Sequence, residues 1–148
     1  ASTAGLAAAL DDYFNAFQSL AARPTDAGER QTLIQKATLL TERFQQTDAR
    51  LAQVQSDLNV EIESDVAEVN RLLSTIADLN AQIGRIEIGR PGDAVDLRDQ
   101  RQARLEELSA KLPVEVRNAD NGQIRVVLRD ATNTDVVLVD LASVTGPV

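Results

Sequence analysis

The sequence predicts a mainly α fold: an elongated antiparallel helical bundle or coiled coil with one very long helix, plus a small C-terminal antiparallel β meander. Three observations predict it. No Pro or Gly interrupts residues 29–83, and large apolar residues recur there at helical spacing. Pro24 on one side and the Gly89-Arg90-Pro91-Gly92 loop on the other bracket that stretch and set off a shorter helix at each end. After Pro113 the chain becomes rich in Val and Ile around Asp120-Asn121-Gly122, a hairpin signal because Asn and Gly tolerate positive φ.

The first helix is expected over about residues 4–22, with Ser2 or Thr3 as its cap. Leu6, Leu10, Phe14, Phe17 and Leu20 follow at steps of four, four, three and three, which is one helical face. Pro24 ends the helix, because the residue before proline avoids helical backbone angles.

The second helix is expected over about residues 26–88, with Thr25 as cap and Asp26 and Glu29 at the positive end of its dipole. Leu33, Ala37, Leu40, Phe44, Thr47, Leu51, Val54 and Leu58 alternate steps of four and three. That is a heptad seam with Thr47 its one polar member. Val54, Leu58, Ile62 and Val66 are then four apart, which shifts the seam around the helix or marks a bend. The seam returns through Val69, Leu73, Ile76, Asn80 and Ile83, widened by Leu72 and Leu79. A helix of roughly 60 residues is roughly 90 Å long at 1.5 Å per residue, which is rod architecture.

The third helix is expected over about residues 93–112, with Val95, Leu97, Leu105, Leu108 and Leu112 on or near one face. Three strands follow at about 114–118, 123–129 and 135–140. The expected division is a helical rod domain over 1–112 and a β appendage over 113–148, which either packs on the helix ends or starts or connects to a further domain. The first and third helices are each roughly 30 Å long and run back along the two ends of the long one. The middle of the long helix, about residues 46–67, keeps an apolar stripe with no partner in this chain. Either the helix folds back on itself or something outside these residues covers it.

Composition removes several function classes. The chain of 148 residues has no His and no Cys, so a Ser-His-Asp triad, Cys or His nucleophiles and the usual zinc and iron ligand sets are excluded. No cofactor is expected. With 23 acidic and 15 basic residues the net charge is −8, and no basic patch is visible. That argues against nucleic acid and against an anionic membrane surface as partners. No apolar run approaches the ~18 residues of a membrane span.

Few side chains suggest chemistry. Asp93, Asp96 and Asp99 stand at steps of three and would suit a divalent cation or acid–base work. Arg98 and Arg101 stand among them, and acidic residues belong at a helix start for dipole reasons, so a capped, ion-paired helix is the favoured reading. The stretch IGRPGD lacks the Lys-Ser/Thr ending of a phosphate loop. Asn70 and Asn80 are candidates to fix register by pairing across a helix interface, and Asn80 is the better one because it occupies a seam position. Besides a structural rod, the seam suits a soluble coiled-coil adaptor, which would form a defined dimer by light scattering. A carboxylate metal enzyme would give heat with Mg²⁺ or Ca²⁺ in calorimetry.

Three stretches in order, LAAALDDYFNAFQSLAARPTDAGERQTLIQKATLLTERF, VNRLLSTIADLNAQI and DLRDQRQARLEELSAKLPVEV, resemble the flagellar hook-associated protein 1 family, the hook–filament junction proteins. The resemblance covers about residues 5–128. The family pattern is matched at Leu10, Phe14 and Phe17, then at Pro24, Ala27 and Arg30. It is matched again at Val69, Asn70, Leu72, Leu79, Asn80 and Ile83, and at Asp99-Gln100-Arg101. The family usually has Asp next, whereas this chain has Gln102, which puts an Arg–Asp pair there in doubt.

The resemblance implies a structural part of the bacterial flagellum with no catalysis. It implies an extracellular place reached without a cleaved signal peptide. The implied partners are copies of itself in an axial assembly, the hook protein and the next hook-associated or filament-side protein. It also implies an internal piece, whose missing terminal helical segments would cover the middle of the long helix. On this reading Leu33, Leu40, Phe44, Leu51, Val69, Leu73, Ile76, Asn80 and Ile83 build the rod, and Phe14, Phe17, Leu105 and Leu108 pack against it.

Overall fold

In the computed structural model residues 3–146 are described, with side chains over 5–146. The expected caps Ser2 and Thr3 fall outside the described residues and side chains. The elements are α1 (Thr3–Ala22), α2 (Ala27–Glu87), α3 (Val95–Ser109), β1 (Val114–Asn118), β2 (Ile124–Arg129), β3 (Asp135–Asp140) and β4 (Ser143–Val144). The fold is therefore the predicted mainly α class with a small antiparallel sheet. Helix α2 has no break through residues 58–66. The chain forms two compact units, Ala1–Val60 and Glu61–Val148, and α2 contributes to both.

In the first unit α1 packs antiparallel to the start of α2, with Asp12 bonded to Lys36 at 2.6 Å. The cap of α2 is Asp26, not Thr25. Its Oδ1 accepts the free N–H groups of Gly28 at 2.7 Å and Glu29 at 3.2 Å, and its charge meets the positive end of the dipole.

The buried face of α1 is not the one expected. Ala9 and Ala16 are buried, with Leu6, Tyr13 and Leu20 half-buried, a heptad run at steps of three, four, three and four. Leu33, Ala37 and Leu40 of α2 are half-buried. Leu10, Phe14 and Phe17, expected as packing residues, lie exposed, the two Phe at 53% and 52%. Phe44 and Leu51 on α2 are exposed as well, Leu51 at 65%. Small side chains at the contact let two helix backbones approach closely, so the alanine face wins although the phenylalanine face is more hydrophobic. Phe14 instead meets Tyr13 edge-on, with ring centroids 5.4 Å apart.

The alanine contact makes a discriminating prediction. Ala16→Leu overfills the α1–α2 contact and is expected to cost about 1–3 kcal/mol. Phe14→Ser at the exposed face is expected to stay within about 0.5 kcal/mol of wild type. Urea unfolding of both variants measures the difference; the opposite order would return the packing role to Phe14.

In the second unit the last part of α2 and the antiparallel α3 share one core with the sheet. Val69, Leu72, Leu73, Ile76 and Ala77 of α2 meet Leu105 and Leu108 of α3, and Ile124, Val126, Leu138 and Val139 of the sheet. The sheet packs on the helices, the first of its two expected placements. A small meander has one apolar face to bury, and the helix pair is what buries it.

Strand order is β1-β2-β3-β4, all antiparallel. Two expected strands, 114–118 and 135–140, have the observed bounds, and β2 begins one residue late. Strand β4 was not expected. It is two residues long, too short for periodicity, and is held where Val144 pairs with Val139. A register shift opposite Val126/Val127 leaves Leu138 as the extra residue of β3 and turns Leu138 and Val139 in succession into the core. Val127 shares the outer face with its cross-strand partner Glu115, among the ion pairs Arg117–Asp135 at 2.6 Å and Arg125–Asp140 at 2.7 Å.

Candidate functional site

The densest polar arrangement lies inside the second unit, where α2, α3 and the sheet converge. Asn80 sits on the α2 seam and is fully buried. Its Nδ2 donates to the carbonyls of Ile124 at 2.9 Å and Leu141 at 2.8 Å, and its Oδ1 accepts from Arg101 Nη1 at 2.6 Å. Arg101 Nη1 also donates to the Gly122 carbonyl at 2.8 Å. Gln123 Nε2 donates to the Asn80 carbonyl at 3.3 Å. One amide side chain thus joins three elements, because it carries two donors and an acceptor on one short stem.

The backbone is shaped to meet it. Asn121 (φ 53°) and Gly122 (φ 68°) form the turn that presents the Gly122 carbonyl, and Leu141 (φ 55°) presents its own. A Cβ on Gly122 would run into the Glu87 carboxylate and the Arg98 guanidinium. A Cβ on Gly84 would stand 2.8 Å from Gln123 Cδ.

Next to Asn80 lies a second pair. Glu87, 1% exposed, binds Arg98 through two contacts, Nε to Oε1 at 2.8 Å and Nη2 to Oε2, and its Oε1 accepts the Ala94 N–H at 3.4 Å. Among the described residues every buried side-chain nitrogen and oxygen has a hydrogen-bond partner. A closed set of this kind specifies one packing of its elements, since any shift leaves a buried polar atom bare.

The charges follow the same contacts. The Arg98 hydrogen bond holds the Glu87 carboxyl below its ordinary value, against the upward push of burial and with help from the Gly92 and Ala94 backbone. Arg98 is raised in return by Glu87. Burial, then the charge of Arg98, lowers Arg101. Lys111 is raised by its bonds to Asp65 and Glu68, which tie the chain just past α3 to α2.

A pH prediction follows. The folded-state pKa of Glu87 lies below its ordinary 4.5, so its stabilising contribution is complete above that value and is lost as pH falls through the folded pKa. Thermal melts taken from pH 7 downward should show the unit weakening in acid below about pH 4.5, and Glu87→Gln should flatten that acid limb. An unchanged acid limb in Glu87→Gln would assign the loss to other carboxylates.

The expected site residues divide into three groups. Val69, Leu73, Ile76, Asn80, Ile83, Arg101, Leu105 and Leu108 are buried in the second unit. Leu33 and Leu40 are half-buried in the first. Leu10, Phe14, Phe17, Phe44, Leu51 and Asp99 are exposed. Asn80 pairs across the α2–α3 interface with Arg101, and it reaches the sheet backbone as well. Arg101 binds Asn80 and Gly122, while Gln102 bonds Glu106 at 3.1 Å.

Sequence reasoning missed Glu87, Arg98, Gly122, Gln123 and Leu141. Glu87 had a signal: it continues the seam from Asn80 and Ile83 at steps of three and four, and a carboxylate at a seam position needs a buried partner. Asp93, Asp96 and Asp99 are exposed, with Asp93 facing Arg90 at 3.8 Å. Among the described residues no group of three His, Cys, Asp or Glu is placed to hold a metal ion, and no helix is long and apolar enough to cross a membrane.

Among the described residues, Asn80, Glu87 and Arg101, the buried polar side chains, bond to the chain's own helices and sheet, which makes this an α-helical and β module closed on itself. Its relationships give the class a name: over residues 1–144 the chain matches the flagellar hook-associated protein FlgK helical domain, and it belongs to that family. Flagellar hook-associated protein 1 of Salmonella typhimurium is 34% identical over 127 residues, 85% of this chain and 23% of that protein. Its counterpart in Escherichia coli K12 is 33% identical over 128 residues, 86% of this chain and 23% of that protein. The counterpart in Bacillus subtilis is 31% identical over 113 residues, 76% of this chain and 22% of that protein. The solved structure of the flagellar hook junction protein FlgK from Burkholderia pseudomallei superposes with a TM-score of 0.80 at 27% identity, covering 96% of this chain and 24% of that one. The chain thus spans under a quarter of the length of these relatives.

Proposed function

We propose that the protein carrying this chain is an extracellular structural part of the bacterial flagellum, at the junction of hook and filament, and that it works without catalysis. The observation that carries this reading is the family match over residues 1–144. The names of the relatives place those proteins at the flagellar hook and its junction. The mechanism is geometric. Helix α2 with its packed partners presents fixed surfaces, and the closed Asn80–Arg101 set keeps the sheet in one position on the helices. Its partners are copies of itself, the hook protein and the filament-side protein. Leu10, Phe14, Phe17, Phe44 and Leu51, exposed in this chain, are contact residues for polypeptide outside it.

Immunogold electron microscopy with an antibody raised against this chain tests the reading. A single band of label between hook and filament is expected. Label spread along filaments, or confined to the cell interior, would overturn it.

A further inference from the structure

Asn121-Gly122 is the only Asn-Gly pair in the sequence, and it lies in the turn whose carbonyl the buried Arg101 holds. We infer that Asn121 is a deamidation site that the folded turn holds closed, and that it reacts only when the Asn80–Arg101 contacts release the turn.

The reaction needs only water. The Gly122 backbone nitrogen gives its proton to hydroxide and attacks Cγ of Asn121. The N–Cγ bond forms, the Cγ–Nδ2 bond breaks, and ammonia leaves with a proton taken from water. Water then opens the cyclic imide at either carbonyl and leaves aspartate or isoaspartate at position 121. Nothing is oxidised or reduced. Glycine suits the attack because it has no side chain to shield its amide, and Asn121 itself is exposed.

The turn opposes ring closure. Asn121 has φ 53° and ψ 39°. At that ψ the L-configured Cα places Cβ and the Gly122 nitrogen on opposite sides of the Cα–C bond, whereas the ring requires them on the same side. Rotating ψ would swing Gly122 away. Its carbonyl is held by Arg101 at 2.8 Å, its Cα lies against Glu87 and Arg98, and the Ala119 N–H to Gln123 carbonyl bond of 2.9 Å closes the turn. Reaction therefore requires local opening, and the opening equilibrium sets its rate.

The product locks the opening in place. Isoaspartate adds a main-chain carbon between residues 121 and 122, so the Gly122 carbonyl no longer returns to Arg101. It also adds a negative charge at the turn.

The test is to hold the full chain at mildly alkaline pH, native and in urea, and to follow each Asn by peptide mass mapping. In urea Asn121 is expected to gain about one dalton ahead of every other Asn. In the native chain it should react at least about tenfold more slowly. Asn80→Ala, held under native conditions and checked for helix content by circular dichroism, should react at a rate between the two. Equal native and urea rates, or an inert Asn121 in urea, would overturn the proposal in the wild-type chain alone. A folded Asn80→Ala that keeps the slow wild-type rate would overturn the link to the node.

Discussion

Replacing Asn80 with leucine is expected to destabilise the unit Glu61–Val148 by about 3–5 kcal/mol, although leucine is the more hydrophobic residue and the position lies on an apolar seam. Three groups each lose one partner at once. The carbonyls of Ile124 and Leu141 lose the Nδ2 donor, and Arg101 loses the Oδ1 acceptor while remaining buried and charged. Each carbonyl that loses its donor costs roughly 1–3 kcal/mol of desolvation, and the guanidinium, left with the Gly122 carbonyl, adds to the loss. Asn80→Asp makes the sharper comparison. It keeps an acceptor for Arg101, but its second oxygen stands where Nδ2 donated and is repelled by the two carbonyls, so a large loss here assigns the effect to those carbonyls and not to Arg101. Urea unfolding by far-UV circular dichroism measures both. A loss under about 1 kcal/mol in Asn80→Leu would mean the sheet is held by its apolar contacts alone.

The second large effect belongs to the apolar core. Leu73 is fully buried where α2, α3 and the sheet meet. Leu73→Ala removes three carbons and leaves a cavity that helices pinned by the polar node cannot close, for a cost of about 3–5 kcal/mol. Leu51→Ala, the same chemical change on the same helix at an exposed site, should stay within about 0.5 kcal/mol. Equal losses at the two positions would show that the exposed stripe of α2 is packed in solution.

These two residues show which parts of the fold are legible in sequence. Leu73 is read from the heptad alone, since a repeating large apolar residue between two breaker-marked ends has few other uses. The same breakers set the limits of α2, expected over about 26–88 and observed over Ala27–Glu87. Asn80 is half legible. Its seam position announces burial, but its partners lie 21, 44 and 61 residues further along the chain. No local pattern carries that distance.

The face of α1 is misread for a related reason. Counting large side chains selects Leu10, Phe14 and Phe17, yet the contact is chosen by close approach and falls on Ala9 and Ala16. The placing of the sheet is left open between the helix ends and a further domain, because an apolar sheet face does not say what it packs on. The core places it on α2 and α3, so the helix–sheet boundary in sequence is not a boundary in space.

The functional account rests on geometry in place of chemistry, and one measurement reaches it most directly. The full-length gene is deleted in its host, cell surfaces are examined by electron microscopy, and filament protein is assayed in the medium. The account predicts bare hooks, with filament subunits lost to the medium and filaments restored by the intact gene. Normal filaments on the hooks of the deletion strain would contradict it.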